Sequence, residues 1–498
     1  MSKRPFSYYY DDGSRSRSSS PYPAAIPPND AELTLSLTGP HSKPTVAYFF
    51  NEEVSAFHYG EGHPMKPARL ALTHNLVMAY GLDKKMLNFR PRAATDDEIA
   101  VFHEDDYIEF LKRVNPGNLQ HYSSIMGKFN IGVEDCPVFD GMFDFCRIYT
   151  GASLEAARKL VSGVSDVAVN WSGGLHHAKK WEASGFCYVN DIVLSILELL
   201  RAFPRVLYVD IDVHHGDGVQ EAFYMSNRVM TASFHRYDGH FFPGSGSIEE
   251  KGTGKGKYYA INVPLAEYID DDAYAYVFRN VMTDVMTMFR PSVVVLQCGA
   301  DSLASDRLGC FNLSIRGHGQ CVRFMKSFNV PMLCLGGGGY TVRNVARAWT
   351  YETSVLTDTD LTNDLPNNPY MSYYGPDYKL HAPIVDSSAE NANSIQSLDS
   401  IREKVREYLR YVEHAPSVQM QEIPSGVEKL FESGDWEVDD LDDADGDRRD
   451  DIGFYRPLRG KEKGREDERE YYDGEEDQDG EVHEATDSED DEDEVLDV

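Results

Sequence analysis

The 498-residue chain has a formal charge of −34 at pH 7 and is 41% hydrophobic, enough for a sizeable core. Residues 431–498 hold 31 acidic and 8 basic side chains, a net of −23, which leaves −11 for the first 430. The acidity is therefore a tail, which argues against direct sequence-specific DNA binding because phosphates would repel it. No run approaches the ~20 apolar residues that span a bilayer, so no membrane partner is expected.

In chain order, residues 1–43 are rich in Ser, Pro and Tyr without sustained periodicity and read as a disordered leader. Met1–Ser20 lacks the apolar stretch of a secretory signal. Seven scattered cysteines without a CxxC pair fit reduced thiols in a soluble intracellular protein. An ordered domain is expected over 44–424, beginning with the strand-like run Thr45–Phe50, and a disordered acidic tail over 425–498. Val167–Asn170, Val206–Ile211, Val229–Phe234, Val293–Gln297 and Met332–Leu335 read as buried strands. Asp191–Phe203, Asp271–Phe289 and Ile315–Phe328 carry helical spacing between them. This alternation predicts one α/β domain with a largely parallel central sheet flanked by helices. In such sheets, function gathers past the carboxyl ends of the strands.

Four of these strand ends carry polar runs. Gly173-Gly174-Leu175-His176-His177 follows the first, and Asp210 through Asp217 closes the second. Cys298-Gly299-Ala300-Asp301 follows Val293–Gln297, and Gly336 through Gly339 with Tyr340 follows Met332–Leu335. Asp210, Asp212 and His214 alternate at period two and share one face if the strand continues. Buried carboxylates side by side repel unless a cation lies between them. Asp212, His214 and Asp301 then read as three metal ligands with an open corner, the catalytic pattern. A loop capped by side-chain hydrogen bonds is the competing reading.

His176 and His177 are adjacent and cannot easily share a metal; two neutral histidines there suit proton transfer, with Asp210 and Asp217 as carboxylate partners. A loop His pair bonded to backbone is the plain alternative. No Lys-Ser/Thr follows the glycines, so they are not a phosphate loop. They would let the backbone turn tightly and bring the Tyr340 hydroxyl toward the metal, where it could donate to a developing oxyanion; a Tyr that simply packs is the plain alternative.

These runs resemble the class I zinc-dependent histone deacetylases, with its arginase/deacetylase-like fold. Gly173–Ala178, Asp210–Gly218, Gly336–Tyr340, His58–Lys66, Glu134–Pro137 and Asp306–Leu313 carry the likeness, over about Thr45 to Ile423. Leu313–Gly319 looks most like the corepressor-associated branch and its fungal members.

The resemblance implies Zn²⁺ on Asp212, His214 and Asp301, with Fe²⁺ as an alternative for so hard a ligand set. It implies His177 as general base and acid, His176 as electrostatic aid, Asp210 and Asp217 as their supports, and Tyr340 on the acetyl carbonyl. Gly185, Phe186, Phe242 and Leu308 would line an acyl-lysine tube, with Asp135 gripping the substrate backbone at the rim. His58, Gly62, Lys66, Arg307 and Arg343 match an inositol phosphate site. Asp210, Asp212, His214, Ser233 and Phe234 match a structural K⁺ site. Histone tails as substrate, corepressor subunits as partners, and a nuclear location with a cytoplasmic pool left open follow from the same likeness. Ser488, followed by Glu489-Asp490-Asp491-Glu492, suits an acid-directed kinase. A binuclear manganese ureohydrolase and a non-catalytic scaffold are the rival readings.

Overall fold

The computed structural model describes residues 44–132 and 135–413, all within one compact unit. The expected leader 1–43, the tail 425–498 with Ser488, and residues 414–424 of the expected domain lie outside the described residues.

The described chain runs β1 (Val46–Phe49), α1 (Ala68–Ala79), β2 (Leu87–Phe89), α2 (Asp96–Ile99), α3 (Asp105–Arg113), α4 (Leu119–Met126), α5 (Met142–Val161), β3 (Val167–Asn170) and α6 (Asp191–Leu199). It continues β4 (Val206–Asp210), α7 (Asp217–Phe223), β5 (Val229–Arg236), β6 (Ala260–Leu265), α8 (Asp271–Phe289) and β7 (Val293–Gln297). α9 (Ile315–Lys326), β8 (Met332–Leu335), α10 (Val342–Leu356) and α11 (Ile395–Leu409) complete it. The strands form one eight-stranded sheet in the order β2-β1-β3-β8-β7-β4-β5-β6, and every pairing is parallel.

Alternation along each strand feeds two cores. Ala47, Phe49, Val293 and Val295 pack with Ala156 and Ile196 of α5 and α6. Val46, Tyr48, Val294 and Leu296 point the other way, into the core shared with α8, α9 and α10. Side-chain caps start the helices where the spacing places them: Asp270 accepts from Ala273 N–H, Ser314 from Gly317 N–H, and Asn190 from Val193 N–H.

Three expectations need correction. β4 stops at Asp210, so Asp212 and His214 lie in the loop that follows, not on the strand. α6 ends at Leu199 rather than Phe203, because Pro204 disfavours helical backbone just before it. β2 and β6 were not expected at all. β2 is a three-residue, largely exposed edge strand, and β6 carries Asn262 and Pro264 within its apolar run.

Candidate active site

The four polar runs belong to β3, β8, β7 and β4, consecutive strands in the middle of the sheet. Their carboxyl ends form one rim, so residues as far apart in the chain as His177 and Tyr340 meet there.

Asp212, His214 and Asp301 are buried and offer ligand atoms within 4.8 Å of one another. His214 Nδ1 stands 3.1 Å from Asp212 Oδ1 and 3.1 Å from Asp301 Oδ2. Loop turns replace the expected strand. The Asp212 N–H donates to Asp210 Oδ1 at 3.1 Å, and the His214 N–H to Asp212 Oδ1 at 3.0 Å. Two such side-chain turns in succession bring every second residue inward. Arg236 N–H then ties the loop to β5 through the Val213 carbonyl, 2.8 Å away.

The electrostatics of this cluster fit a cation. Burial alone would push His214 down, but the two carboxylates reverse this and hold it up at about 10. Burial and the neighbouring Asp212 push Asp301 up to about 7, while His176 and His214 hold Asp212 well below the usual carboxylate range despite its burial. Two buried carboxylates converge here on one imidazole, and a divalent ion among them would balance their charge. Gly299 and Gly338 clear the space. A Cβ on either would come 2.0 Å from an oxygen of Asp212 or Asp301.

The adjacent histidines differ from each other. His176 Nδ1 meets Asp210 Oδ2 at 2.8 Å, and Tyr208 donates to the same oxygen. Burial opposes its charge, yet Asp210 and Asp212 push it up to about 9. His177 Nδ1 meets Asp217 Oδ1 at 2.7 Å, but burial and the His176 charge push it down to about 4. The two rings are thus pushed in opposite directions, His177 toward the neutral form and His176 toward the charged one. Lys179 donates to the other Asp217 oxygen at 2.6 Å and, with His177, keeps that buried carboxyl well below its ordinary range.

Tyr340 is carried by glycines with φ of +140° at Gly337 and +121° at Gly339, values that L side chains rarely adopt. Burial, followed by the Asp301 and Asp212 charges, pushes its phenol well above 10, so it remains a donor. A cavity of about 310 Å³ reaches these groups, lined by Asp135, His177, Gly185, Phe186, His214, Phe241, Phe242, Leu308 and Tyr340. Phe242 meets the His177 ring edge-on at 4.9 Å, and Phe186 meets Tyr340 edge-on at 5.7 Å. Gly185 has φ +49°, and a Cβ there would come 2.5 Å from the His177 ring.

A family model described as "Histone deacetylase domain" matches residues 63–356. Histone deacetylase 1 of Bos taurus is 58% identical over 383 residues, 77% of this chain and 79% of its own length. Histone deacetylase 1 of Homo sapiens is 59% identical over 379 residues, 76% and 78% of the two chains. The probable histone deacetylase 1-B of Xenopus laevis is 58% identical over 383 residues. The chain belongs to the histone deacetylase family.

It is a class I deacetylase, a hydrolase whose family implies a metal cofactor. The deacetylase holds its remaining expected residues in more scattered places. His58, Gly62, Arg307 and Arg343 are exposed and Lys66 half-buried, on the segment before α1, the loop after β7 and the start of α10. Arg343 lines a cleft of about 130 Å³ with Ser305 and Asn344. Ser233 pairs in register with Asp210 across β5 and β4, with Phe234 next to it.

Several site residues escaped the sequence reading. Arg69 donates to the Gly339 carbonyl at 2.7 Å and the Gly337 carbonyl at 2.5 Å. Asp191 accepts the Gly174 and Leu175 N–H groups beneath the His pair. Gln297 donates to Asp212 Oδ2 at 2.9 Å, and Asp306 accepts from Tyr340 N–H. Phe241 stacks on His214 at 5.2 Å. Proximity in the fold was their main signal, although Asp306 stands within a run that carried the family likeness.

Proposed function

We propose that this deacetylase hydrolyses the acetyl amide of N-ε-acetyl-lysine in histone tails with zinc on Asp212, His214 and Asp301. The observation that carries the reading is the buried three-ligand cluster at the floor of an apolar cavity, with one neutral histidine and one phenol facing it. When bound, zinc supplies Lewis acidity toward water and the acetyl carbonyl.

His177 is neutral and faces the cavity, so its ring can take the proton of the attacking water. Asp217, itself held ionised by Lys179, stabilises the imidazolium that results. Tyr340 donates to the oxyanion of the tetrahedral intermediate. His177 then returns its proton to the lysine nitrogen as the C–N bond breaks, leaving acetate and free amine. The Phe186 and Phe242 rings suit the four methylenes of the substrate stem, at about 0.8 kcal/mol per buried CH₂. Acetylation removes the charge that would oppose entry. Asp135 at the rim suits the substrate backbone.

The wider reading is that the enzyme acts in chromatin as part of a repressive corepressor complex in the nucleus. His58, Gly62, Lys66, Arg307 and Arg343 would bind an inositol phosphate there, since Lys and Arg meet phosphates as point charges or forks. Asp210, Asp212, His214, Ser233 and Phe234 would hold K⁺. Support for the complex and the ions is the residue-by-residue match alone. Fe²⁺ is the alternative metal.

Deacetylation of a labelled histone peptide, with and without chelator, by wild type and Tyr340→Phe tests the central claim. Chelator-insensitive turnover would overturn zinc dependence. Absence of ¹⁸O from solvent water in the acetate of a single turnover would overturn direct attack.

A further inference from the structure

Beneath the Asp301 loop lies a buried pair that the mechanism does not use. His318 on α9 and Glu352 on α10 are both 0% exposed, and His318 Nδ1 faces Glu352 Oε1 in a short contact. The other ring nitrogen, Nε2, lies 2.9 Å from the Gly299 carbonyl. Both nitrogens face acceptors, so both carry hydrogen and the ring is a cation balanced by the carboxylate. Burial opposes that charge and Glu352 restores it, raising His318 above its ordinary value. Burying two charges is costly, and a hydrophobic pair of equal volume packs as well. A role in geometry accounts for such a pair.

The Gly299 peptide is where the geometry matters. Its N–H donates to Gln297 Oε1 at 2.7 Å and its carbonyl accepts from His318, so the peptide plane is held from both sides. Trp349 Nε1 holds the preceding carbonyl, that of Cys298, at 2.8 Å. The turn Ala300–Ser302 starts from this plane, and Asp301 projects from it toward Val213 N–H and His214. Gly299 leaves no slack, because a Cβ there would strike Asp212. We propose that His318, locked by Glu352, is a positioning residue that aims the Asp301 carboxylate at the metal through the Gly299 carbonyl. The inference rests on the metal reading above.

Titration of the metal-stripped full-length chain with Zn²⁺ and with Co²⁺, read as affinity and as the visible Co²⁺ absorption band, tests it. Asp301→Ala serves the underlying reading: binding as tight as wild type would remove the metal site, and this inference with it. His318→Leu should weaken Zn²⁺ binding by about tenfold or more and shift the Co²⁺ band. His318→Gln, which can still donate to the carbonyl, should recover most of the affinity. Thr357→Val, a buried change elsewhere near the end of α10, should leave both readouts at wild type. If the Leu variant does not fold, Glu352→Gln decides, with weaker binding and an altered band expected. Wild-type affinity and an unchanged band in a folded His318→Leu or Glu352→Gln chain would overturn the proposal.

Discussion

The backbone N–H of Tyr340 donates to Asp306 Oδ2 at 2.8 Å, and Thr341 N–H reaches the same oxygen at 3.1 Å. The second Asp306 oxygen accepts from Leu308 and Gly309 N–H. One carboxylate thus joins the segment bearing the phenol to the segment bearing a wall of the cavity. Asp306→Ala should misplace Tyr340 and lower kcat by on the order of 10²-fold. Steady-state kinetics on an acetylated peptide check this, and an unchanged kcat would remove Asp306 from the catalytic geometry.

Tyr340→Phe keeps the ring against Phe186 and deletes only the donor. Turnover should fall by about 10²–10³ with little change in melting temperature. A comparable fall in melting temperature would mean the hydroxyl is structural.

Gln297 links the second ligand to the loop of the third, donating to Asp212 Oδ2 while accepting from Gly299 N–H. Gln297→Leu should weaken zinc affinity about 10–100-fold. Chelator competition measures it, and adding excess zinc should restore part of the activity.

Gly185→Ala places a methyl against His177 at a backbone angle that favours glycine. Loss of kcat/KM by about 10²-fold or more is expected. A variant with wild-type kinetics would show that the ring can move aside.

His103 supplies a pH test away from the metal cluster. Its Nδ1 faces the Lys180 carbonyl at 3.2 Å, while Nε2 accepts from Asn190 N–H at 2.9 Å. Only the neutral ring satisfies both, and burial pushes it down to about 4. The unfolded chain, with an ordinary value near 6.5, takes up a proton first as pH falls. The stability due to the neutral ring is complete above about pH 6.5 and is lost progressively toward pH 4, a total of roughly 3 kcal/mol. Urea unfolding across this window should show a shallower loss for His103→Gln than for wild type. Equal slopes would exclude His103 as the source.

Much of the site was legible because buried parallel strands read as unbroken apolar runs, against which Asp212 or His177 stands out. The β4 loop shows the limit of that reading. Period-two spacing pointed to side chains on one face, but Asp210 and Asp212 accepting from the amides two residues on, not strand pleat, turns them inward. Arg69 was invisible for a different reason. It lies in α1, and its partner Gly337 is 268 residues away. Nothing local marks an arginine whose task is to hold a distant carbonyl. Asp191 and Gln297 sat inside expected elements, where a polar residue reads as a cap or a strand end until the fold supplies its partner.

The sheet order also governs when the enzyme can come into being. Among the described residues β8 is the last strand, yet it lies between β3 and β7 near the centre of the sheet. A chain emerging from the ribosome cannot close this sheet, or bring Tyr340 to the histidines, until Met332–Leu335 is free to insert. Because that pairing is so non-local, it is a slow step. A fragment ending before β8 should therefore lack deacetylase activity, having neither that strand nor Tyr340.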